Sequence, residues 1–299
     1  MQVIAIFGPT AIGKTAVAIE LAERLRERGE DPVAVNCDSI QVYRGLEVLS
    51  GAATPIEQER LEHRLLSLID STEEFSAGRY AELAHREIDS LLAEHRRPIV
   101  VGGTGLYLRA ALAELDLRPP VPAEIREEVE REISERGTEA LHAELTPELA
   151  ELVHPNDRKR IARLTELTRA GVEPAPSAEG MWTAELRHPT LLVGLTMARG
   201  ILGDRIDVRV ERMIAAGAAD EARQAAARGA SRTARAALGF EELLAGEREA
   251  MKRAHRNYAR RQLAWMHKME GVILIDRTAK SDAEVAAEIL EKLAERYSS

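Results

Sequence analysis

An α/β fold, a parallel sheet flanked by helices with an all-helical insertion domain, is what this sequence of 299 residues predicts. Three observations predict it. Short apolar runs of strand length alternate with stretches patterned at helical spacing. A Gly-x-x-x-x-Gly-Lys-Thr turn joins the first apolar run to the first helical stretch, which makes the sheet P-loop-type. A strongly charged, helix-patterned segment bounded by prolines then interrupts the alternation after residue 118.

Residues 3–7, VIAIF, read as a buried strand, and residues 16–28 carry Val17, Leu21 and Leu25 at helical spacing. Between them lie Gly8, Pro9, Thr10, Ala11, Ile12, Gly13, Lys14 and Thr15. Glycines let such a loop curl so that successive N–H groups face phosphate oxygens beside the positive end of a helix. Lys14 adds a mobile positive charge, and the Thr15 hydroxyl can ligate Mg²⁺. A glycine turn that matches by chance is the alternative, and the flanking strand and helix count against it.

A second strand over 32–37 leads into Asp38 and Ser39. Ligands of open parallel sheets sit beyond the carboxyl ends of strands, which places Asp38 near the phosphate. A helix cap or turn residue fits that position equally well. Residues 65–70 read as a third strand and 75–92 as a helix, with Tyr80, Leu83, Ile88, Leu91 and Leu92 on its apolar face. A fourth strand over 98–101 runs into Gly102-Gly103-Thr104-Gly105, where Thr104 presents a hydroxyl, or where an ordinary strand-to-helix turn sits. Motor-type hydrolases of this class hold Mg²⁺ partly through an Asp that ends a strand. No carboxylate ends the fourth strand; only Asp38 and Asp70 end strands, which favours a kinase-like or transferase site.

The domain boundaries are read as a core of 1–118 and 190–299 around an insertion of 119–189. Within the insertion, His154-Pro155-Asn156-Asp157 enters a helix that carries Arg158, Lys159, Arg160 and Arg163, ordinarily a solvated basic face. Residues 190–195 return to an apolar strand. A helix over 201–224 sets Arg205, Arg209 and Arg212 a turn apart. Residues 252–268 are the most basic stretch, with Tyr258 and Trp265 interleaved. Such a mixture can bind phosphates and stack bases, or the aromatics can be core and the arginines solvated. A last strand over 272–275 and a helix to 297 close the chain.

Composition narrows the classes further. Hydrophobic residues make up 45% and charged residues 30%, enough for a real core, while aromatics at 3% leave that core to Ala, Leu, Ile and Val. No apolar run reaches membrane-spanning length, and no cleavable export signal precedes the first strand. The single cysteine, Cys37, excludes an internal disulfide and fits a reducing cytoplasm. The eight histidines show no paired ligand spacing, so no zinc site is expected. A net charge of −9 argues mildly against a polyanionic partner, unless positive charge is locally concentrated.

Taken in order, GPTAIGKT at 8–15, DSIQVYRG at 38–45, HRLLSLID at 63–70, FSAGRY at 75–80, PIVVGGTGLYLRA at 98–110, HPNDRKRIAR at 154–163 and YARRQLAW at 258–265 resemble the tRNA dimethylallyltransferase family over nearly the whole chain. The resemblance implies transfer of a dimethylallyl group from dimethylallyl diphosphate to N6 of adenosine 37, in tRNAs reading codons that start with U, with release of diphosphate. It implies Asp38 as general base, with Thr104 and Arg205 also catalytic. The loop from Gly8 to Thr15 would hold the diphosphate, with Mg²⁺ on Thr15. It further implies tRNA contacts at Asp38, Ser39, Ile40, Gln41, Arg126, Lys159, Arg160, Ile161, Ala162 and Arg163. The expected partners are the anticodon stem-loop of tRNA and dimethylallyl diphosphate, with no membrane, in a cytoplasmic monomer.

Three positions depart from that family's usual pattern. Ala53-Thr54-Pro55 lacks a lysine, Ala236-Ala237-Leu238-Gly239-Phe240-Glu241 loses polar groups, and His255 stands where threonine is usual. Other readings of the same residues are an adenylate isopentenyltransferase, a small-molecule P-loop kinase and a non-catalytic RNA-binding protein. The insertion counts against the first, and the intact set Lys14, Thr15, Asp38 and Thr104 against the last.

Overall fold

The computed structural model describes residues 1–115, 117–174 and 185–297. They form two compact units, Met1–Glu114 with Trp182–Ser299, and Leu115–Met181. Among the described residues no helix is long and apolar enough to cross a membrane.

The first unit is built on a six-stranded sheet. Its strands are β1 (Val3–Phe7), β2 (Pro32–Asn36), β4 (His63–Arg64), β6 (Arg97–Gly102), β7 (Thr190–Thr196) and β8 (Ile273–Asp276). They run in the order β4-β2-β6-β1-β7-β8, and every pair is parallel. Helices cover a parallel sheet on its faces, so the inner strands are continuous apolar runs. Accordingly β1 and β2 are buried at every position. The flanking helices are α1 (Lys14–Glu27), α4 (Ala77–Ala93), α5 (Gly105–Leu112), α10 (Arg199–Ala215), α14 (Arg248–Met266) and α15 (Asp282–Tyr297).

The topology has one consequence for function. The strands β2, β6, β1, β7 and β8 are neighbours in space, so the loops leaving their carboxyl ends form one contiguous edge. Ligands of such sheets bind along that edge.

The expected third strand over 65–70 is not one strand. Its place in the main sheet is taken by His63–Arg64, while β5 (Ile69–Asp70) pairs with β3 (Tyr43–Arg44) in a separate two-stranded sheet. Leu65 at φ 59° and Ser67 at φ 47° turn the chain out of the extended conformation between them. Asp70 therefore does not end a strand of the main sheet, whereas Asp276 does. The expected helix over 201–224 is likewise broken, at Gly217 with φ 99°, into α10 and α11 (Ala218–Ala227).

The second unit is helical: α6 (Ala123–Arg136), α7 (Thr138–Ala143), α8 (Pro147–Glu151) and α9 (Arg158–Arg169). It has its own small core of Val129, Ile133, Leu141, Val153 and Ile161. Asp157 caps α9 by accepting from the Arg160 N–H at 3.2 Å. In the first unit, the chain returning at Leu186 pairs with Ala113, and the Arg187 N–H donates to the Leu112 carbonyl at 2.8 Å. Residues 175–184 of the expected insertion lie outside the described residues.

Candidate active site

The loop between β1 and α1 is held from its carbonyl side by cations. Lys14 bends back so that Nζ donates to Gly8 O at 3.0 Å and Pro9 O at 3.1 Å. Arg205 Nε donates to Ala11 O at 3.0 Å, and Arg277 Nη1 to Ile12 O at 2.6 Å. Ala11, at φ 63°, sits in the left-handed region that residues other than glycine seldom occupy. Gly13, at φ 93°, is the residue before α1, and a Cβ there would stand 2.5 Å from Arg277 Nη1. Glycine is therefore required both by the turn and by the guanidinium packed against it.

Asp38 is placed by a buried polar knot at the end of β2. Asn36, only 3% exposed, donates through Nδ2 to Leu65 O at 2.9 Å and accepts the Asp38 N–H at 3.1 Å. Tyr80 Oη donates to Asn36 O at 2.9 Å, and Asp38 Oδ1 accepts the Ile40 N–H at 3.0 Å. The carboxylate is thus oriented by a local turn. Ser39, Ile40 and Gln41 continue that turn, and Gln41 Nε2 donates to Gly51 O at 3.2 Å. Beneath it, burial pushes the Cys37 thiol up, so it stays protonated. A side chain at Gly102 would come within 2.5 Å of Cys37 O, so β6 and β2 approach there as only glycine permits.

Thr104 precedes α5, and its hydroxyl lies 3.2 Å from Tyr258 Oη on α14. From the same helix, Gln262, 1% exposed, accepts the Thr10 N–H at 2.8 Å and donates from Nε2 to Gly103 O at 2.7 Å. One amide thereby ties the β1 loop to the β6 turn. Tyr258 is half-buried and makes an edge contact with Trp265 at 6.1 Å, while Arg261 stacks over its ring at 5.5 Å. Tyr258 thus faces the site, whereas Met251, His255, Ala259, Gln262 and Met266 form the buried side of α14. His255 is sealed inside with Nδ1 2.9 Å from Met251 O, and burial lowers its pKa.

The electrostatics are those of an anion site. Crowding by protein atoms, then the charge of Arg209, lowers Lys14 to about 8, with Asp38 and Cys37 opposing; part of the lysine surface remains open. Arg209 is itself lowered by burial, against the pull of Asp38. Its Nη2 reaches Ser50 O and Gly51 O only at 3.4 Å, and its buried Nε has no partner. Arg205 is lowered by partial burial and by Arg277.

The structure therefore brings together Gly8 to Thr15, Asp38, Thr104 and Arg205 on one edge of the first unit. Arg209, Tyr258, Gln262 and Arg277 join them. Arg209 stood in the sequence as one of three arginines at helical spacing, and Tyr258 and Gln262 lay in a basic–aromatic stretch with two readings. Arg277 carried no signal at all. Arg126, Lys159, Arg160, Ile161, Ala162 and Arg163 belong to the second unit. Lys159 is exposed and Arg126 half-exposed, and neither side chain has a hydrogen bond or ion pair among the described residues. Arg163 instead donates to the carbonyls of Arg118 and Pro119 at 3.1 and 2.7 Å. Ile161 is fully buried in the unit's core, so its side chain is packing rather than surface.

Known proteins resemble this chain over nearly its whole length. Residues 41–269 match the family described as IPP transferase. A tRNA dimethylallyltransferase of Anaeromyxobacter dehalogenans (strain 2CP-C) is 41% identical over 98% of this chain and 100% of its own length. One from Thermobifida fusca (strain YX) is 38% identical over 89% and 87%. Among solved structures, a tRNA isopentenylpyrophosphate transferase from Bacillus halodurans superposes with a TM-score of 0.71 at 31% identity, covering 99% of this chain and 98% of that one. A eukaryotic dimethylallyltransferase acting on tRNA gives 0.72 at 25% identity, over 93% and 74%.

Proposed function

This chain belongs to the IPP transferase family and is an enzyme of the tRNA dimethylallyltransferase type, and on that premise we propose that it moves a dimethylallyl group from dimethylallyl diphosphate onto N6 of adenosine 37 in tRNAs reading codons that start with U. The observation that carries the reading is the placement of a carboxylate, Asp38, after β2 and a cation-held phosphate loop after β1, with the β6 turn between them tied to the loop by Gln262.

In this reading the C1–O bond to the diphosphate breaks through a cation-like transition state, and charge develops on the departing oxygens. Lys14, Arg205 and the N–H groups at the start of α1 stabilise that charge where it appears. The N6 amine is a poor nucleophile because its lone pair is delocalised into the purine. Asp38 accepts its proton as the N6–C1 bond forms. Thr104, held against Tyr258, sits between the two strand ends and orients the acceptor. The adenine reaches this recessed edge by leaving its stack.

Mg²⁺ fits the donor set. Among the described residues no three His, Cys, Asp or Glu side chains gather into a metal cage, and Mg²⁺ commonly takes one or two protein oxygens with substrate phosphates and water. Thr15, in the first turn of α1, would hold it, and the ion would offset diphosphate charge. On the second unit, Lys159 and Arg126 are the proposed phosphate contacts to the anticodon stem-loop, with Arg160 beside them. The protein is read as a cytoplasmic monomer.

The test is transfer of label from radiolabelled dimethylallyl diphosphate with Mg²⁺, offering unmodified tRNA and AMP in parallel. Label on tRNA that disappears in a folded Asp38→Ala variant is expected. Label on AMP alone would replace tRNA by a free nucleotide as acceptor. ATP consumption with no prenyl transfer would make the protein a kinase.

A further inference from the structure

Five of the six carbonyls from Gly8 to Gly13 accept from a cationic side chain. Lys14 takes Gly8 and Pro9, Arg205 takes Ala11, and Ile12 and Gly13 fall to Arg277, at 2.6 and 3.4 Å. Lys14 and Arg205 are flexible side chains with open surface. Arg277 differs from both. It is 4% exposed, its backbone N–H is tied to Thr196 O, at the end of β7, at 3.0 Å, and its Nη2 is paired with Asp282 Oδ1 at 2.7 Å.

A trans peptide is planar, so its C=O and the following N–H point in opposite directions. Holding the Ile12 carbonyl toward Arg277 turns the Gly13 N–H the other way; the Gly13 carbonyl, which accepts the Val17 N–H at 3.1 Å with Arg277 as a longer second donor, does the same for the Lys14 N–H. Those are the two donors that open α1, where a phosphate binds. The guanidinium also fills the space that the absent Gly13 side chain leaves. Arg205 Nη2 lies 3.3 Å from the same point. Two like charges thus crowd the Cβ side of Gly13, and of the two only Arg277 has a carboxylate partner.

We propose that Arg277, anchored by Asp282, is a positioning residue that fixes the Ile12–Gly13 corner of the loop for the diphosphate and leaves Arg205 free to bind it. This rests on the reading of the loop as a diphosphate site. Arg277 touches no reacting atom in it. Its contribution is therefore to affinity for the diphosphate, not to the chemical step or to tRNA.

The experiment is calorimetric titration of inorganic pyrophosphate with Mg²⁺ into wild-type, Arg277→Gln, Arg277→Lys and Asp282→Asn proteins, with steady-state transfer kinetics alongside. Losing a charge-assisted hydrogen bond to a fixed backbone predicts about tenfold weaker pyrophosphate binding in Arg277→Gln. KM for dimethylallyl diphosphate should rise by the same factor, with kcat and the KM for tRNA unchanged. Arg277→Lys should fall between. A folded Arg277→Gln with wild-type pyrophosphate affinity, or with kcat reduced at unchanged KM, overturns the proposal. Should Arg277→Gln not fold, Asp282→Asn decides: about threefold weaker binding supports the anchor, and unchanged binding overturns it. Wild-type protein that binds pyrophosphate but transfers no label would sink the transferase reading and leave this comparison intact. Wild-type protein that does not bind pyrophosphate would sink both.

Discussion

Two groups of arginines and lysines in this chain are held in opposite ways. Around the phosphate loop, Lys14, Arg205 and Arg209 donate to backbone carbonyls. On the helices of the second unit several guanidinia meet carboxylates. Arg169 pairs with Glu132 at 2.7 Å, Arg163 with Glu166 at 3.3 Å, Arg160 with Asp157 at 3.6 Å, and Arg158 with Glu130. A carbonyl is a dipole and leaves the cation its charge, whereas a carboxylate cancels it. The first group therefore retains a net positive field at a crowded edge, where charges act strongly. The second is a set of solvated pairs, each worth little and screened by salt. Counting basic residues does not separate the two; their partners do.

The sharpest way to break this contrast is to remove the Asp38 carboxylate from the site edge. Asp38→Asn should lower kcat for transfer by about 10²- to 10⁴-fold, the range of general-base contributions, with pyrophosphate binding unchanged in a titration. If pyrophosphate affinity rose strongly instead, Asp38 would be opposing the cations rather than serving as base. Lys14→Ala comes next: kcat/KM for the allylic diphosphate should fall by about 10²- to 10³-fold, while tRNA affinity in a filter-binding assay stays as it was. Gln262→Leu keeps the charges but cuts the bridge between Thr10 and Gly103. About 100-fold lower kcat is expected from misplacing the loop against the β6 turn, together with a lower Tm.

The pH dependence follows from the same field. Lys14, lowered to about 8 by burial and Arg209, is charged below that pH and neutral above it. Its charge attracts the diphosphate, so KM for dimethylallyl diphosphate should rise as pH increases through about 8. A KM flat from pH 7 to 9 would mean that Lys14 keeps its proton there without help. The smallest effect belongs to the second unit. Lys159→Ala should weaken tRNA binding a few-fold at every sequence tested. It should also reduce the slope of log affinity against log salt by about 1, with kcat unchanged. Reversing Glu132 to Lys would sharpen the contrast further, since it frees Arg169 and Arg136 from a shared partner.

Local signals made much of this legible. Residues 3–7 and 8–15 could be read as strand and loop because glycine spacing and an apolar run are properties of adjacent residues. Asp38 and Thr104 were placed at strand ends for the same reason, and the family resemblance rested on such contiguous stretches. The third strand misled because its apolar letters hide two positive-φ residues, Leu65 and Ser67. Partners distant in sequence hold them: the Asn36 amide, 29 residues away, takes the Leu65 carbonyl, and Gln41 O takes the Ser67 N–H. A single broken helix over 201–224 was likewise read straight through, since one glycine in a helical pattern is only a weak signal.

The sequence alone determined the phosphate loop, the run of the core strands and the chemical kind of groups at their ends. Periodicity, glycine spacing and residue type suffice for that, being encoded within a few positions of one another. Only the tertiary structure decided which distant side chains complete the site. Arg209, Gln262 and Arg277 come from α10, α14 and the residue after β8, and the last two are 252 and 265 positions away from the loop atoms they bind. Their roles exist because a parallel sheet stacks strands distant in sequence side by side and brings their carboxyl ends to one edge.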